Sequence, residues 1–329
     1  MCGALAFVAA QLGFFLCAPW WHPDAEFAAH LNVLRQRLKE EPNRPLVLVV
    51  GCSRCDFGFQ PEKLAQTWPR DSAHPLVFNF SHLGAGPVLN LLQVRRILQA
   101  GVRPRQIVLE IMPAFVADEW KSIYEYRAQA KELLLLHRCR GDWCFLASFC
   151  KRRVWPWHQN RRELLNRLNP RWTTPGEDEH VPLGPLGNYL GLSASVPADY
   201  RVKILRETYD LYHPSLRQFA VAASSRRAIC ETAELCRAEG VELTLLLTPE
   251  GSDFRSWYSA ESVAAVEQFC GELNRDYGLR LIDARRWLPD DEFVDSHHML
   301  AAGADRFTRR LGKRLEAIHL ARSGGGALR

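Results

Sequence analysis

The amino-acid sequence predicts a doubly wound α/β domain built on a mainly parallel sheet. Four runs rich in Val, Leu and Ile are apolar almost throughout, a pattern typical of strands covered on both faces. A fifth, shorter run has the same character, and helical patterns separate the runs. The composition, 47% hydrophobic and 24% charged over 329 residues, excludes a disordered or collagen-like chain.

The first element, residues 1–21, is predicted to be a membrane anchor. It contains no charged side chain, and about 20 apolar residues can span a hydrocarbon core as a helix. Trp20 and Trp21 then fall where an interfacial aromatic belt would lie. We expect the following domain on the extracytoplasmic side, although the basic residues that follow favour the opposite orientation. A buried core helix is the alternative.

The elements after the anchor alternate as in an α/β domain. A linker helix is assigned to 22–43, and the domain itself to 44–112 and 205–321, followed by a tail at 322–329. The predicted strands are 46–50, 76–80, 107–112, 241–248 and 279–284. The predicted helices of the domain are 87–100, 215–239, 259–277 and 299–320.

Residues 113–204 interrupt this alternation. They are predicted to form an insertion of helices and loops over the edge of the sheet, where the insertion could act as a lid. A helical pattern at 118–140 precedes a basic, Trp-rich stretch at 151–172 and a loop rich in Pro and Gly. The basic stretch suits an anionic membrane surface or a polysaccharide better than nucleic acid. An ordinary solvated face is the alternative.

Ser53 is the first candidate for chemistry because it follows the first predicted strand within the sequence Gly51-Cys52-Ser53-Arg54. In open α/β sheets, ligands bind outside the carboxyl ends of the strands. The backbone N–H of a serine on such a turn can also help to hold an oxyanion. The alternative is a serine that only caps the following helix.

Asp295 and His298 lie three residues apart before the last predicted helix. At this spacing a carboxylate can bond to imidazole Nδ1, which fixes the tautomer and leaves Nε2 as a general base. His297 is a rival base. A surface loop, or an aspartate that caps the helix, is the structural alternative.

A third signal, the sequence from Asn79 to Gly86, closes the second predicted strand. Gly84 and Gly86 stand beside a helix start, where backbone N–H groups can approach a developing negative charge. The three signals follow one another as serine, glycine turn and Asp-x-x-His, each at the end of a predicted strand or before the last helix.

This order resembles the SGNH (GDSL-like) hydrolase superfamily over about half of the chain. The matching residues stand in the first, second and last blocks of the family: Gly51 and Ser53, Asn79 with Gly84 or the less favoured Gly86, and Asp295 with His298. The sequence looks closest to bacterial membrane-anchored envelope members with Gly-Ser-Ser-Arg at the nucleophile.

The resemblance implies an SGNH, flavodoxin-like sheet and a role for each matching residue. Ser53 would be the nucleophile, His298 the base and Asp295 its orienter, while the backbone N–H groups of Ser53 and Gly84 would hold the oxyanion. No cofactor or metal is implied.

Two departures from the family are visible. Cys52 stands where the family has Asp, and the family's third block, which supplies an oxyanion Asn, is replaced by Met112-Pro113 and the residue before them. Losing such a donor costs on the order of 10²–10³ in rate. Arg54, beside the nucleophile and always charged, is a candidate replacement.

Polar and aromatic residues after the fourth predicted strand are candidates for a substrate pocket. They are Glu250, Arg255 and Tyr258, which would join Arg54 and Asn79 from the other strand ends. A solvated loop is the alternative for the first three.

Two further patterns compete with this interpretation. Cys52 and Cys55 have the C-x-x-C spacing of a thioredoxin-like redox pair. A loose group of zinc-ligand types also occurs, at His137, Cys139, Cys144 and Cys150. Neither has supporting motifs elsewhere in the chain.

The sequence therefore favours an SGNH-type serine esterase or acyltransferase, as the resemblance implies. Its expected substrates are acyl esters of an envelope carbohydrate, acetyl esters among them, and the N-terminal helix is its expected contact with a membrane. The alternative is a catalytically silent SGNH-like domain that binds polysaccharide or acts as a scaffold, because the oxyanion Asn is missing.

Overall fold

The computed structural model describes residues 24–67, 74–154, 183–188 and 192–325, together with Gly3 and Phe7. Within these ranges five strands form one sheet, in which every neighbouring pair runs parallel. The strand order is 2-1-3-4-5, that of the doubly wound, flavodoxin-like sheets. The predicted fold class is confirmed.

The elements are numbered here in chain order. The strands are β1 (Leu46–Val50), β2 (Leu76–Asn79), β3 (Gln106–Glu110), β4 (Glu242–Leu247) and β5 (Arg280–Asp283). The helices before β4 are α1 (Ala25–Glu40), α2 (Ser53–Gly58), α3 (Pro61–Thr67), α4 (Pro87–Gln99), α5 (Pro113–Ala117), α6 (Lys121–Arg127), α7 (Leu133–Arg140), α8 (Phe145–Val154), α9 (Ala198–Arg217) and α10 (Ala223–Ala238). The later helices are α11 (Ser252–Ser256), α12 (Ala260–Tyr277) and α13 (Ala301–Gly325).

The sheet is buried on both faces, which explains the continuous apolar runs. Alternate residues of β1 point to opposite sides, with Leu48 in one apolar core and Val47 and Val49 in the other. Helices α1, α4, α9, α10 and α12 cover the first face, and α2, α3 and α13 cover the second. Strand β1 pairs with β2 along one of its edges and with β3 along the other, so the chain reverses its direction across the sheet after β2. This reversal of strand order is the position where open α/β sheets bind ligands.

Helix α1 belongs to this core, whereas the sequence suggested a linker at 22–43. Phe27 and Leu34 are buried against the sheet face, and Asp24 caps the helix by accepting the Phe27 N–H at 3.1 Å. Asp24 also pairs with Arg96 of α4 at 2.8 Å. Apolar burial and this ion pair therefore fix α1 to the domain.

The single helical patterns predicted at 118–140 and 215–239 are both interrupted. In the first, Gln129 is extended and the Glu132 carboxylate accepts its N–H at 2.7 Å, so a new turn begins there. In the second, the Ser262 hydroxyl donates to Arg217 O and accepts the Phe219 N–H, both at 3.1 Å. These side-chain bonds replace helical ones. The first is a capping box between residues three apart, whereas the second depends on a side chain 43 residues away from Phe219.

The predicted anchor at 1–21 lies outside the described residues except for Gly3 and Phe7, and so does the basic stretch beyond residue 154. Among the helices that the structure describes, none is long and apolar enough to cross a membrane. At the other end, α13 continues to Gly325, so residues 322–325 extend a helix and are not part of a tail.

Two buried imidazoles meet beneath the carboxyl end of β2. The rings of His30 and His82 lie 4.4 Å apart, and each lies 5.4 Å from the ring of Phe80. Burial lowers the pKa of both imidazoles, well below the usual value for His82. The folded protein therefore holds both rings neutral near pH 7.

This pair predicts that acid destabilises the fold. Below the unfolded pKa of about 6.5, the unfolded chain binds protons that the buried rings resist, so the free energy of unfolding falls as the pH decreases. Urea unfolding should give a lower free energy at pH 5.5 than at pH 7.5. His82→Gln, whose amide can still donate to Phe80 O, should reduce that difference. An unchanged pH dependence in this variant would contradict the assignment.

Candidate active site

Ser53 is placed by the turn between β1 and α2. It is the first residue of α2, and Cys52 occupies the preceding N-cap position with no side-chain capping bond. Ser53 therefore does not cap the helix. A Cβ on Gly51 would lie 2.4 Å from Oε2 of Glu110, so only glycine lets the turn pass this close to the carboxylate.

The structure brings Ser53, His298 and Asp295 into one hydrogen-bonded line. Ser53 Oγ lies 2.8 Å from His298 Nε2, and His298 Nδ1 lies 2.7 Å from Asp295 Oδ2. A carboxylate only accepts, so Nδ1 carries the proton and Nε2 is left to accept from the serine hydroxyl. His298 is partly exposed, whereas Asp295 is buried. This arrangement can activate a serine for nucleophilic attack.

The Asp295 carboxylate is held in its charged form. Burial alone would raise the pKa of Asp295, but His297 and His298 outweigh it and hold the pKa well below its usual range. Its Oδ1 also accepts the backbone N–H of His298 at 2.7 Å and that of His297 at 3.2 Å. The carboxylate thus fixes both the imidazole and the loop that carries it.

The loop between β5 and α13 has an unusual backbone at Ser296, whose φ is 68°. Ser296 Oγ accepts the Phe254 N–H at 3.0 Å, and Ser296 O accepts the Gly251 N–H at 2.7 Å. A Cβ on Gly251 would lie 2.3 Å from Ser296 Oγ, so the glycine permits this close approach. The left-handed residue is therefore stabilised by the loop after β4.

His297, the rival base, points into the core, and the contact with Ser53 is made by His298. The ring of His297 packs on Tyr212 and Phe254, and burial lowers the pKa of His297 to about 4. The side chains of Asp295, His297 and His298 are also the one group in the described ranges whose ligand atoms are close enough to hold a metal ion. Such an ion would compete for the Asp295–His298 hydrogen bond.

The glycine turn after β2 serves partly to make room for neighbouring helices. Gly84 has φ 66°, and a Cβ there would lie 2.4 Å from the side chain of Ile123. A Cβ on Gly86 would lie 2.5–2.8 Å from the Glu119 side chain. Glu119 accepts the N–H groups of Val88 and Leu89 at the start of α4, so this helix end is already capped. Gly84 remains the predicted second oxyanion donor.

Asn79 is a structural residue and does not line a pocket. It is fully buried, and its amide donates to Cys55 O at 2.8 Å and to Phe59 O at 2.9 Å. Its Oδ1 accepts the Ser81 N–H at 3.1 Å. Asn79 therefore ties the end of β2 to the helix that begins with Ser53.

Arg54 turns inward, contrary to the expectation that it lines the pocket or replaces the oxyanion donor. Its guanidinium donates to Thr248 O and Pro249 O at 3.0 Å and lies 3.4 Å from Glu250 Oε1. Burial would lower the pKa of Arg54, but Glu250 and Glu110 outweigh it and raise the pKa. With its side chain 1% exposed, Arg54 is committed to this buried cluster.

The remaining predicted pocket residues also take structural roles. The Tyr258 hydroxyl donates to Glu250 Oε1 at 3.0 Å, and both side chains are buried. Burial raises the pKa of Glu250. Arg255 donates to the main-chain oxygens of Glu250 and Arg285 and so braces the loop after β4. The pocket prediction was wrong for these side chains because their partners lie within the protein.

The competing cysteine patterns receive no support from the described ranges. Cys52 and Cys55 are buried, and burial raises the pKa of both thiols well above its usual value, which disfavours the reactive thiolate. The ring of His137 stacks on Trp143, and no candidate metal group of the described residues includes it or the cysteines beside it.

Sequence reasoning missed Glu110 and Glu119. Glu110 ends β3, and Glu119 lies in the segment between α5 and α6; both are buried. Burial raises the pKa of Glu119 to about 8. The available signal for Glu110 was a charged residue at the carboxyl end of an apolar strand, beside the ligand-binding edge.

The sequence matches no protein-family model, and no curated protein is significantly similar to it. Among solved structures, a candidate acylhydrolase from Bacteroides fragilis NCTC 9343 is 10% identical with a TM-score of 0.37, covering 85% of this chain and 94% of that chain. A GDSL-like lipase from Bacteroides thetaiotaomicron VPI-5482 is 8% identical with a TM-score of 0.34, covering 87% of this chain and 99% of that chain. Likenesses of this degree assign no activity to this chain.

Proposed function

We propose that this protein is an SGNH-type serine hydrolase or acyltransferase that acts on ester bonds. The observation that carries the proposal is the line from Ser53 Oγ through both nitrogens of His298 to Asp295 Oδ2, with distances of 2.8 and 2.7 Å. The motif order in the sequence, which resembles the SGNH superfamily, supports the same assignment.

The reaction would follow the chemistry of a serine nucleophile. Ser53 Oγ attacks the ester carbonyl while His298 Nε2 takes the hydroxyl proton, and Asp295 stabilises the resulting imidazolium. The backbone N–H groups of Ser53 and Gly84 would donate to the oxyanion of the tetrahedral intermediate. His298 then returns the proton to the departing alcohol, which leaves the acyl group on Ser53.

Water or a second hydroxyl completes the cycle. His298 deprotonates the incoming oxygen, which attacks the acyl carbonyl, and Ser53 recovers its proton as the product leaves. With water the outcome is hydrolysis, and with a sugar hydroxyl it is acyl transfer. We extend the proposal to acyl esters of an envelope carbohydrate, which the resemblance at Gly51–Arg54 supports. We also propose that residues 1–21 attach the protein to a membrane, which their uncharged sequence supports.

The test measures whether the full chain turns over two substrates, 4-nitrophenyl acetate and an O-acetylated polysaccharide. We expect release of 4-nitrophenol and of acetate, and in the presence of an unacetylated oligosaccharide the mass of an acetylated product would report transfer. Folded protein that turns over neither ester but binds the polysaccharide would instead support the silent binding domain.

A further inference from the structure

The Glu110 carboxylate lies directly behind the turn that presents Ser53. Its Oε2 accepts the backbone N–H of Cys52 at 2.7 Å, and its Oε1 accepts the Thr248 hydroxyl at 2.9 Å. The Glu110 side chain is 1% exposed, so water does not compete for these bonds. One carboxylate therefore joins the ends of β1, β3 and β4.

The position of Glu110 is fixed from two more directions. Arg54 Nε lies 3.7 Å from its Oε1, and the Arg54 guanidinium is held in turn by carbonyls after β4. On the other side, the missing Cβ of Gly51 leaves the space that Oε2 occupies. A buried carboxylate with a buried cation and two donors has little freedom to move.

We infer that Glu110 is a positioning residue for the nucleophile. It acts through the N–H of Cys52, the residue immediately before Ser53, and so sets the angle at which Ser53 Oγ meets His298 Nε2. The inference rests on the proposed function and deepens it, since Glu110 ends the strand after which the resembled family places its oxyanion Asn. Glu110 thus positions the nucleophile from the end of the strand that precedes the missing block.

The consequence is specific to the chemical step. Losing the bond to Cys52 N–H would let the turn relax and shift Ser53 Oγ relative to the base, and displacements on the order of 1 Å cost about 10²-fold in rate. Substrate binding does not depend on that alignment. Glu110→Ala should therefore lower kcat by about 10²-fold while KM stays within about twofold.

The experiment measures kcat and KM for 4-nitrophenyl acetate in Glu110→Ala, two further test variants and one control variant, each checked for folding by its thermal transition. Glu110→Gln can still accept from Cys52 N–H and donate to Thr248 Oγ1, so it should recover kcat to within about 10-fold of wild type. Thr248→Val removes one of the two anchoring bonds of Glu110 and should give a smaller loss than Glu110→Ala. Glu132→Ala is the matched control, since this carboxylate is equally buried and pairs with Arg96 away from Ser53.

Wild-type kcat in folded Glu110→Ala, or a rise in KM with unchanged kcat, overturns the inference. If Glu110→Ala does not fold, the other two variants decide: lowered kcat at constant KM supports positioning, and wild-type kcat in both overturns it. A loss of kcat in folded Glu132→Ala equal to that in Glu110→Ala also overturns it. Wild-type protein without turnover contradicts the proposed function itself, an outcome distinct from all of these.

Discussion

Replacing Ser53 by Ala should abolish ester turnover, lowering kcat by about 10⁶-fold, the loss seen when a serine nucleophile is removed from such an arrangement. Without Oγ no acyl-enzyme can form, and His298 has no hydroxyl to deprotonate. Stopped-flow release of 4-nitrophenol should show neither a burst nor a steady state above background.

Ser252→Ala is the matched control for this variant. Ser252 is also the first residue of a short helix after a strand end, but its hydroxyl donates to Asp290 at 2.6 Å. The control should keep wild-type kcat. Turnover by Ser53→Ala within about 10-fold of wild type would show that another group attacks the ester, because such a loss is far below that of a missing nucleophile.

Replacing Asp295 by Asn should lower kcat by about 10⁴-fold and leave measurable activity. The amide nitrogen of Asn can donate to His298 Nδ1, which favours the tautomer with its proton on Nε2, and that nitrogen then cannot take the proton of Ser53. The kcat of this variant is compared with that of Asp290→Asn, which changes an exposed aspartate after β5 and should match wild type. Equal kcat values for both aspartate variants would contradict the role of Asp295.

The sheet was predictable because its strands carry their own signal. Burial on both faces makes each strand continuously apolar, and each observed strand lies within two residues of the predicted limits. The association of Ser53 with His298 was predictable for a related reason, since parallel strands end at the same edge and gather the residues that follow them.

The environment of these residues was not predictable from local sequence. Arg54 and Glu250 are 196 residues apart, and nothing near Arg54 indicates that its side chain turns into the core. Glu119 comes from a segment read as an insertion, yet it caps α4 and requires the glycine at position 86. Pairings of this kind depend on tertiary contacts, and the pocket prediction therefore failed for these side chains.

The sequence also understated how far the ends of helices depend on distant side chains. Ser262 of α12 ends α9 by replacing its last backbone bonds, and no periodicity in residues 215–239 shows this. The Asp24 cap of α1, in contrast, is a local signal, and the helix begins three residues after the start of the linker helix predicted at 22–43.

The most direct measurement is labelling of the purified full chain with a serine-reactive fluorophosphonate, followed by intact mass and peptide mapping. Covalent capture needs a serine whose hydroxyl is activated by a neighbouring base, which is the property that the 2.8 Å contact between Ser53 and His298 supplies. We expect one adduct per chain, located on Ser53, and none in folded Ser53→Ala. Folded wild-type protein that remains unlabelled, or an adduct on another residue, would contradict the account.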